Sequence, residues 1–145
     1  MFSKTFRYGL QAAILLSRAP EGEFLKVRDL SRSLGVPKSV LAKTLHTLGQ
    51  AGVIETLRGP KGGCRWNPGS DSLSLADLVR ILDSRMQGTE CFLGLDHPAQ
   101  GMCVLPGFTP ARMLWAMDRV TLREVADRHG TVSMAEAALR ETPEP

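Results

Sequence analysis

Two cysteines and one histidine share a stretch of the chain that has neither helical nor strand periodicity. Cys91, His97 and Cys103 follow the pattern Cys-x5-His-x5-Cys within residues 86–108. Thiolates and imidazoles are ligands of iron–sulfur clusters and of zinc, and a loop can direct three ligands to one site. The spacing alone is weak, because cysteines are often buried hydrophobes and loop histidines are often solvated. A metal site is therefore one reading of this loop, and ordinary packing is another.

The cysteines also allow redox chemistry without a metal. The chain has three of them, an odd number, which argues against a framework of structural disulfides. Cys91 and Cys103 could act as a thiol pair that forms a disulfide on oxidation. Cys64 lies far from both along the chain, and we expect it to be a packing residue.

Residues 27–66 contain the predicted helices and strands around which the rest of the chain is arranged. A run with helical periodicity ends at Gly35, the residue type best suited to a left-handed helix cap. Pro37 then suits the first turn of a second helix, which we expect to reach Gln50. Two short β-favouring runs follow, on either side of a turn rich in glycine and proline. Helix, tight turn, helix and hairpin predict a winged helix-turn-helix, whose second helix can enter the major groove of DNA.

Basic residues are concentrated in the same half of the chain. Residues 1–70 contain 11 Lys and Arg against 4 Asp and Glu, whereas residues 71–145 contain 7 against 11. Between residues 30 and 70 the only acidic residue is Glu55. The basic residues of that span are Arg32, Lys38, Lys43, Arg58, Lys61 and Arg65. A single lysine is usually just a solvated side chain, but this concentration suits a polyanion bound through its phosphates.

The two parts of the motif predict two kinds of contact with double-stranded DNA. We expect the helix at 37–50 to dock in the major groove and the wing turn at 58–63 to reach a flanking minor groove. The glycines of the turn would allow its backbone to approach the DNA closely. The predicted DNA-binding residues are Arg28, Lys38, Ser39, Lys43, Arg58, Lys61, Gly62 and Gly63.

The whole chain is predicted to be mainly α-helical, with a small β-hairpin wing. Ser74-x-x-Asp77 predicts a capping box, and Thr109-Pro110 predicts the start of a helix of roughly 18 residues. We expect a winged helix-turn-helix domain at 1–84, a sensor loop at 85–108, and a dimerisation helix with a tail at 109–145. The long helix could pack on its own core, but we favour its pairing with a symmetry mate, which suits a palindromic operator.

These motifs resemble the IscR/NsrR-type family of bacterial winged-helix transcription regulators. The matches are FRYGLQAAILLSR, LGVPKSVLAKTLHTLGQAGVIETLRGPKGGCRW, and LSLADLVRILD followed by a cysteine-bearing loop. Within them AGVIETLRGPKGG is the most specific part, and Trp115 also fits the family. The resemblance implies a dimeric DNA-binding regulator, and many members hold an iron–sulfur cluster through three loop cysteines. Cys91 and Cys103 match the first and third of these, whereas His97 falls on or near the middle one.

The resemblance leaves the fourth ligand of such a cluster open. Family members take it from an acid or histidine in the first helix, or from a histidine just after the third cysteine. Here no acid or histidine precedes Glu21, and Pro106 stands three residues after Cys103. A [2Fe–2S] cluster could use Asp96 or Glu90 instead. There are two alternatives to a cluster. One is the thiol pair, and the other is a cluster-free regulator that senses a small molecule or a partner protein.

Other functional classes lack support in the sequence. No Ser/His/Asp set, phosphate-cradling glycine loop or pair of carboxylates in a supporting context indicates an enzyme. A winged helix that binds a partner protein without affinity for DNA is the more serious rival. No run reaches the roughly 18–20 apolar residues of a membrane span, and the N-terminal apolar run lacks a signal-peptide cleavage pattern. We therefore expect a cytoplasmic repressor that is not an enzyme and does not contact a membrane.

Overall fold

The computed structural model describes residues 2–83 and 110–128. Over these residues the chain is mostly helical, with one two-stranded antiparallel sheet. In chain order the elements are α1 (Lys4–Arg18), α2 (Val27–Leu34), α3 (Lys38–Gln50), β1 (Ile54–Leu57), β2 (Gly63–Trp66), a 3-10 helix (Pro68–Ser72), α4 (Leu75–Leu82), α5 (Pro110–Met117) and α6 (Leu122–Arg128). The predicted order of helix, turn, helix and hairpin is confirmed.

The turn between α2 and α3 contains Gly35 and Pro37, the two residues that predicted it. Gly35 caps α2 in the left-handed conformation, with φ 64°. The Ser31 hydroxyl donates to the Val36 carbonyl oxygen at 2.6 Å, which ties the end of α2 to the turn. Pro37 is the N-cap of α3, so the helix begins one residue later than predicted.

The wing is a short hairpin, and the residue Leu25 pairs with its second strand. β1 pairs antiparallel with β2, with Glu55 opposite Arg65. Leu25, just before α2, exchanges two backbone hydrogen bonds of 2.8 Å with Cys64. Cys64 is only 3% exposed, so the expectation of a packing residue is confirmed. Burial raises the pKa of its thiol, which disfavours the thiolate.

The core lies between α1 and the helices packed around it. Its largest fully buried side chains are Leu16, Leu34, Leu41, Leu45, Leu48, Val53, Leu78 and Val79. α4 approaches α1 closely at Gly9, where an added Cβ would lie 2.2 Å from Leu82 Cδ1. α4 begins with the predicted capping box, since Asp77 N–H donates to Ser74 Oγ and Ser74 N–H donates to the Asp77 carboxylate.

The prediction of one long helix from residue 110 to about 127 is wrong. α5 ends at Met117 and α6 begins at Leu122, with a turn between them. Thr121 and Glu124 form reciprocal side chain–backbone hydrogen bonds of 2.8 and 3.1 Å, which start a new helix. The turn is also tied to the start of α4, because Leu122 N–H donates to the Leu73 carbonyl oxygen at 2.8 Å.

α6 packs on its own core, which the sequence reading treated as the less favoured alternative. Leu122 and Ala126 are 3% and 2% exposed. Arg123 donates to the Ser17 carbonyl oxygen and to the Asp71 carboxylate, at 3.2 and 2.9 Å. The carbonyl of Ala126 accepts from Arg18 at the end of α1. α5 and α6 (residues 110–128) form the described part of a C-terminal arm, and its second helix, α6, therefore belongs to the same core as α1.

Candidate nucleic-acid interface

α3 presents one face to the core and the opposite face to solvent. Leu41, Thr44, Leu45 and Leu48 are buried, and the Thr44 hydroxyl bonds back to the Val40 carbonyl oxygen at 3.2 Å. The exposed residues of the helix are Lys38, Ser39, Val40, Ala42, Lys43, His46 and Gln50. We call these seven residues the exposed face of α3. They carry positive charge and no carboxylate.

The predicted DNA contacts on α3 all lie on this exposed face. Lys38, Ser39 and Lys43 fall in the first half of the helix, which is the part that reaches base edges when such a helix enters a groove. Across the described ranges 2–83 and 110–128, neither Lys38 nor Lys43 forms a salt bridge. Both ammonium groups are therefore available to an anion.

The wing turn places two further cations in solvent. Arg58 and Lys61 are exposed, and neither forms a salt bridge within the part of the chain that the structure describes. Gly59 between them has φ 106°, and a Cβ added there would meet no atom within 4 Å, so the turn is open to solvent at this point. These features suit a turn that meets a partner from outside the fold.

The wing itself requires glycine at positions 62 and 63, which the sequence did not predict. A Cβ on Gly62 would lie 2.0 Å from the Leu57 carbonyl oxygen, and one on Gly63 would lie 2.3 Å from the Leu25 carbonyl oxygen. The close approach of chain segments inside the wing therefore requires glycine at both positions. Contact of either glycine with DNA stays a prediction.

A basic cleft of about 380 Å³ joins the starts of α2 and α3 to the wing. Its lining brings together four of the predicted residues, Arg28, Lys38, Gly62 and Gly63, and leaves Ser39, Lys43, Arg58 and Lys61 on the surfaces beside it. It also includes Lys26, which the sequence reading omitted. The signal for Lys26 was its place in the basic run Lys26-Val-Arg28, directly before α2.

Arg65, which the sequence reading counted with the surface cations, is already neutralised. Its guanidinium donates to Glu55 at 2.6 Å across the hairpin and lies over the Phe24 ring, 4.7 Å from the centroid. The cross-strand register places the two charges opposite each other. The free positive charge of the wing is therefore at its turn and not along β2.

A hydrogen-bonded clasp joins α4 to the turn between α5 and α6. Arg80 donates to both carboxylate oxygens of Asp118, at 3.0 and 3.1 Å, and to Asp77 at 3.0 Å. The Ser74 hydroxyl also donates to Asp118, at 3.3 Å. The hydrogen bonds from Arg80 hold the pKa of Asp118 below its usual value. The C-terminal arm is thus fastened to the winged helix at a defined point.

The predicted ligand residues Cys91, His97 and Cys103 lie outside the described residues, as do Glu90 and Asp96. Within 2–83 and 110–128, no group of three or more His, Cys, Asp or Glu side chains could hold a metal ion. Among the helices described, none is long and apolar enough to cross a membrane.

Comparison with known proteins places these features in a family. A family model for Rrf2, described as an iron-dependent transcriptional regulator, matches residues 2–128. The HTH-type transcriptional regulator NsrR of Bacillus licheniformis is 29% identical over 123 residues, which cover 81% of this chain and 86% of the relative. NsrR of Bacillus subtilis is 27% identical over 123 residues, covering 81% and 84%.

Solved structures support the same fold. CymR, the global cysteine regulator of B. subtilis, superposes with a TM-score of 0.64 at 22% identity, covering 89% of this chain and 98% of that one. IscR of T. potens superposes with a TM-score of 0.58 at 17% identity, covering 100% and 93%. The matched relatives are transcription regulators and not enzymes, as expected. Since the family model spans nearly the whole chain, the protein belongs to the Rrf2 family of transcriptional regulators.

Proposed function

We propose that the protein is a homodimeric, sequence-specific repressor in the cytoplasm, which binds a palindromic operator in double-stranded DNA. The observation that carries this function is the exposed face of α3, which combines free cations with no acidic residue. A polyanion gains from every unpaired ammonium group on such a surface, and each contact releases counterions. Binding to DNA follows more directly from this face than binding to a protein partner.

In this function α3 lies in the major groove. Ser39 and Lys43 reach base edges from its first half, while Lys38 and Arg28 hold phosphates beside the basic cleft. The wing turn carries Arg58 and Lys61 to a flanking minor groove, where a guanidinium suits a narrow, negative groove.

In the proposed dimer, α5 supplies the contact between the two copies. Trp115 is 61% exposed and Arg119 lies over its ring, 4.2 Å from the centroid, whereas Leu114 and Met117 pack against the core. A large aromatic ring in solvent costs free energy that a partner helix would recover. Two copies joined through this face hold two α3 helices, which must lie roughly 34 Å apart to read two half-sites.

Control of DNA affinity is assigned to the loop at 85–108. Cys91, His97 and Cys103 would hold an iron–sulfur cluster, a [2Fe–2S] type with an unidentified fourth ligand. Thiolates with one imidazole suit the chemistry of such a cluster, which supplies a redox-sensitive group when bound. In the sequence, residues 85–108 stand between α4 and α5, and the clasp between Arg80 and Asp118 fixes the far end of α5. A change in the loop would therefore tilt α5 against the winged helix.

Anaerobic purification with visible absorption and iron analysis tests this control. A coloured, iron-containing protein is expected, and Cys91→Ala should lose both colour and the response of DNA affinity to oxidant. Cys64→Ala is the matched control and should keep both, because Cys64 is buried in the wing. A colourless, iron-free protein whose DNA binding ignores Cys91→Ala would eliminate the cluster.

Salt dependence separates DNA binding from the rival function of a partner-binding winged helix. Affinity for DNA should fall linearly on a log–log plot against salt concentration, and specific DNA should resist competition by a non-nucleic polyanion. Equal competition by the polyanion would contradict sequence-specific DNA binding.

A further inference from the structure

One branched aliphatic side chain lies on the exposed face of α3. Val40 is 40% exposed, and among the described residues Leu57 and Trp115 are the other large hydrophobic side chains in solvent. Valine is a weak helix former, so an exposed position inside a helix gains nothing from it by propensity. Helix propensity therefore does not account for a valine at this position.

The position of Val40 on the helix sets it beside the base-reading strip. At 3.6 residues per turn, Ser39, Lys43 and His46 lie on one line opposite the buried leucines. Val40 lies on one flank of that line and Ala42 on the other. Val40 is the third residue of α3, within the first turn, which is the part of a recognition helix that reaches deepest into a groove.

The surrounding charge indicates which kind of apolar partner Val40 meets. Lys38 and Lys43 lie on the same helix, and Arg58 and Lys61 lie on the wing, all free of salt bridges within the described part of the chain. An apolar protein surface would have to bury these cations, whereas DNA neutralises them. In the major groove the one apolar group that a base presents is the C5-methyl of thymine.

We propose that Val40 is a specificity-determining residue that reads thymine through its C5-methyl group. This inference rests on the proposed DNA-binding function and adds a base preference to it. The other side chains of the strip are consistent with it. Within the exposed face of α3 there is no Asp or Glu to accept from a cytosine amino group. Lys38, Lys43 and Gln50 can read guanine or adenine through hydrogen bonds, which leaves Val40 and the small Ala42 as the apolar side chains of this face.

Replacement of thymine by uracil provides the test, because it removes the methyl group and leaves the hydrogen bonds of the base unchanged. The full-length wild-type protein first selects its site from a random DNA pool. Each thymine of that site is then replaced by uracil in turn, and binding is measured. At the position read by Val40, we expect the wild type to lose affinity about fourfold, the value of one buried methyl group.

Variants at position 40 assign the effect to the side chain. Val40→Ser removes both γ-methyl groups, and it should abolish the penalty for uracil at that position. Val40→Ile keeps the apolar contact and should keep the penalty. Ala42→Ser, on the other flank of the strip, is the matched control and should also keep it. Thermal denaturation checks that each variant folds, which is expected because position 40 is exposed.

The outcomes separate this inference from the proposed function. Site-specific binding that tolerates uracil at every position, or a penalty that persists in Val40→Ser, would overturn the thymine contact and leave DNA binding intact. A failure to select any site would contradict the proposed function itself, and the inference would fall with it.

Discussion

Removal of the Lys61 ammonium group should weaken binding to all DNA sequences alike. Lys61 is exposed on the wing turn and, over residues 2–83 and 110–128, forms no salt bridge that would have to be broken. One phosphate contact contributes about 0.9 to the slope of log affinity against log salt concentration. When salt rises from about 50 to 200 mM, the affinity of both proteins falls. The fall for the wild type should be about threefold larger than the fall for Lys61→Ala.

The assay is a titration of labelled DNA by fluorescence anisotropy at four or five salt concentrations, on a selected site and on random sequence. Arg128→Ala is the matched control, since it removes an exposed cation at the end of α6, away from the wing. That variant should keep the wild-type slope. A Lys61→Ala slope equal to that of the wild type, with unchanged affinity, would show that the wing turn does not contact the backbone.

Three further predictions concern the fold. Leu122→Ala should lower the free energy of unfolding by about 2–5 kcal/mol in urea denaturation, because the side chain is 3% exposed; a near-neutral effect would contradict the packing of α6 on α1. Asp118→Asn should be less stable than the wild type at neutral pH. The difference should shrink as the pH falls through the lowered pKa of Asp118, since a carboxylate held by Arg80 stabilises the fold only when it is ionised. A difference that does not shrink as the pH falls would point to another cause. Gly62→Ala should destabilise the wing by roughly 1–3 kcal/mol through the clash of its Cβ with the Leu57 carbonyl, and an unchanged thermal midpoint would contradict this close approach.

The winged helix could be predicted because its signals are local. Gly35 and Pro37 mark the tight turn, and Ser74 and Asp77 mark the start of α4, each through the backbone conformation or hydrogen bond that its residue type provides. The match of the Rrf2 family model to residues 2–128 confirms the family that the motifs resemble.

The break in the C-terminal arm was missed because apolar periodicity continues through it. Met117, Val120 and Val125 keep helical spacing across the turn, so periodicity alone favoured one helix. The overlooked local signal was Thr121-x-x-Glu124, a capping pattern inside the periodic run. The backbone hydrogen bond from Leu122 to Leu73 is a tertiary contact that sequence spacing cannot reveal.

At the proposed DNA-binding surface, residue type predicted which side chains are exposed but not which of them form salt bridges. Lys38, Lys43 and Lys61 are free cations, as expected, within the part of the chain that is described. Arg65 is not, because the register of the hairpin sets it against Glu55, and register depends on the folded wing.

Charge reversal on α3 tests the central claim most directly. Lys43→Glu and Arg128→Glu change the net charge equally, but only the first lies on the exposed face of α3. Titration of both variants onto the DNA site selected by the wild type should show a loss of roughly tenfold or more for Lys43→Glu and little change for Arg128→Glu. Equal affinities for the two variants would contradict the assignment of α3 as the DNA-reading helix.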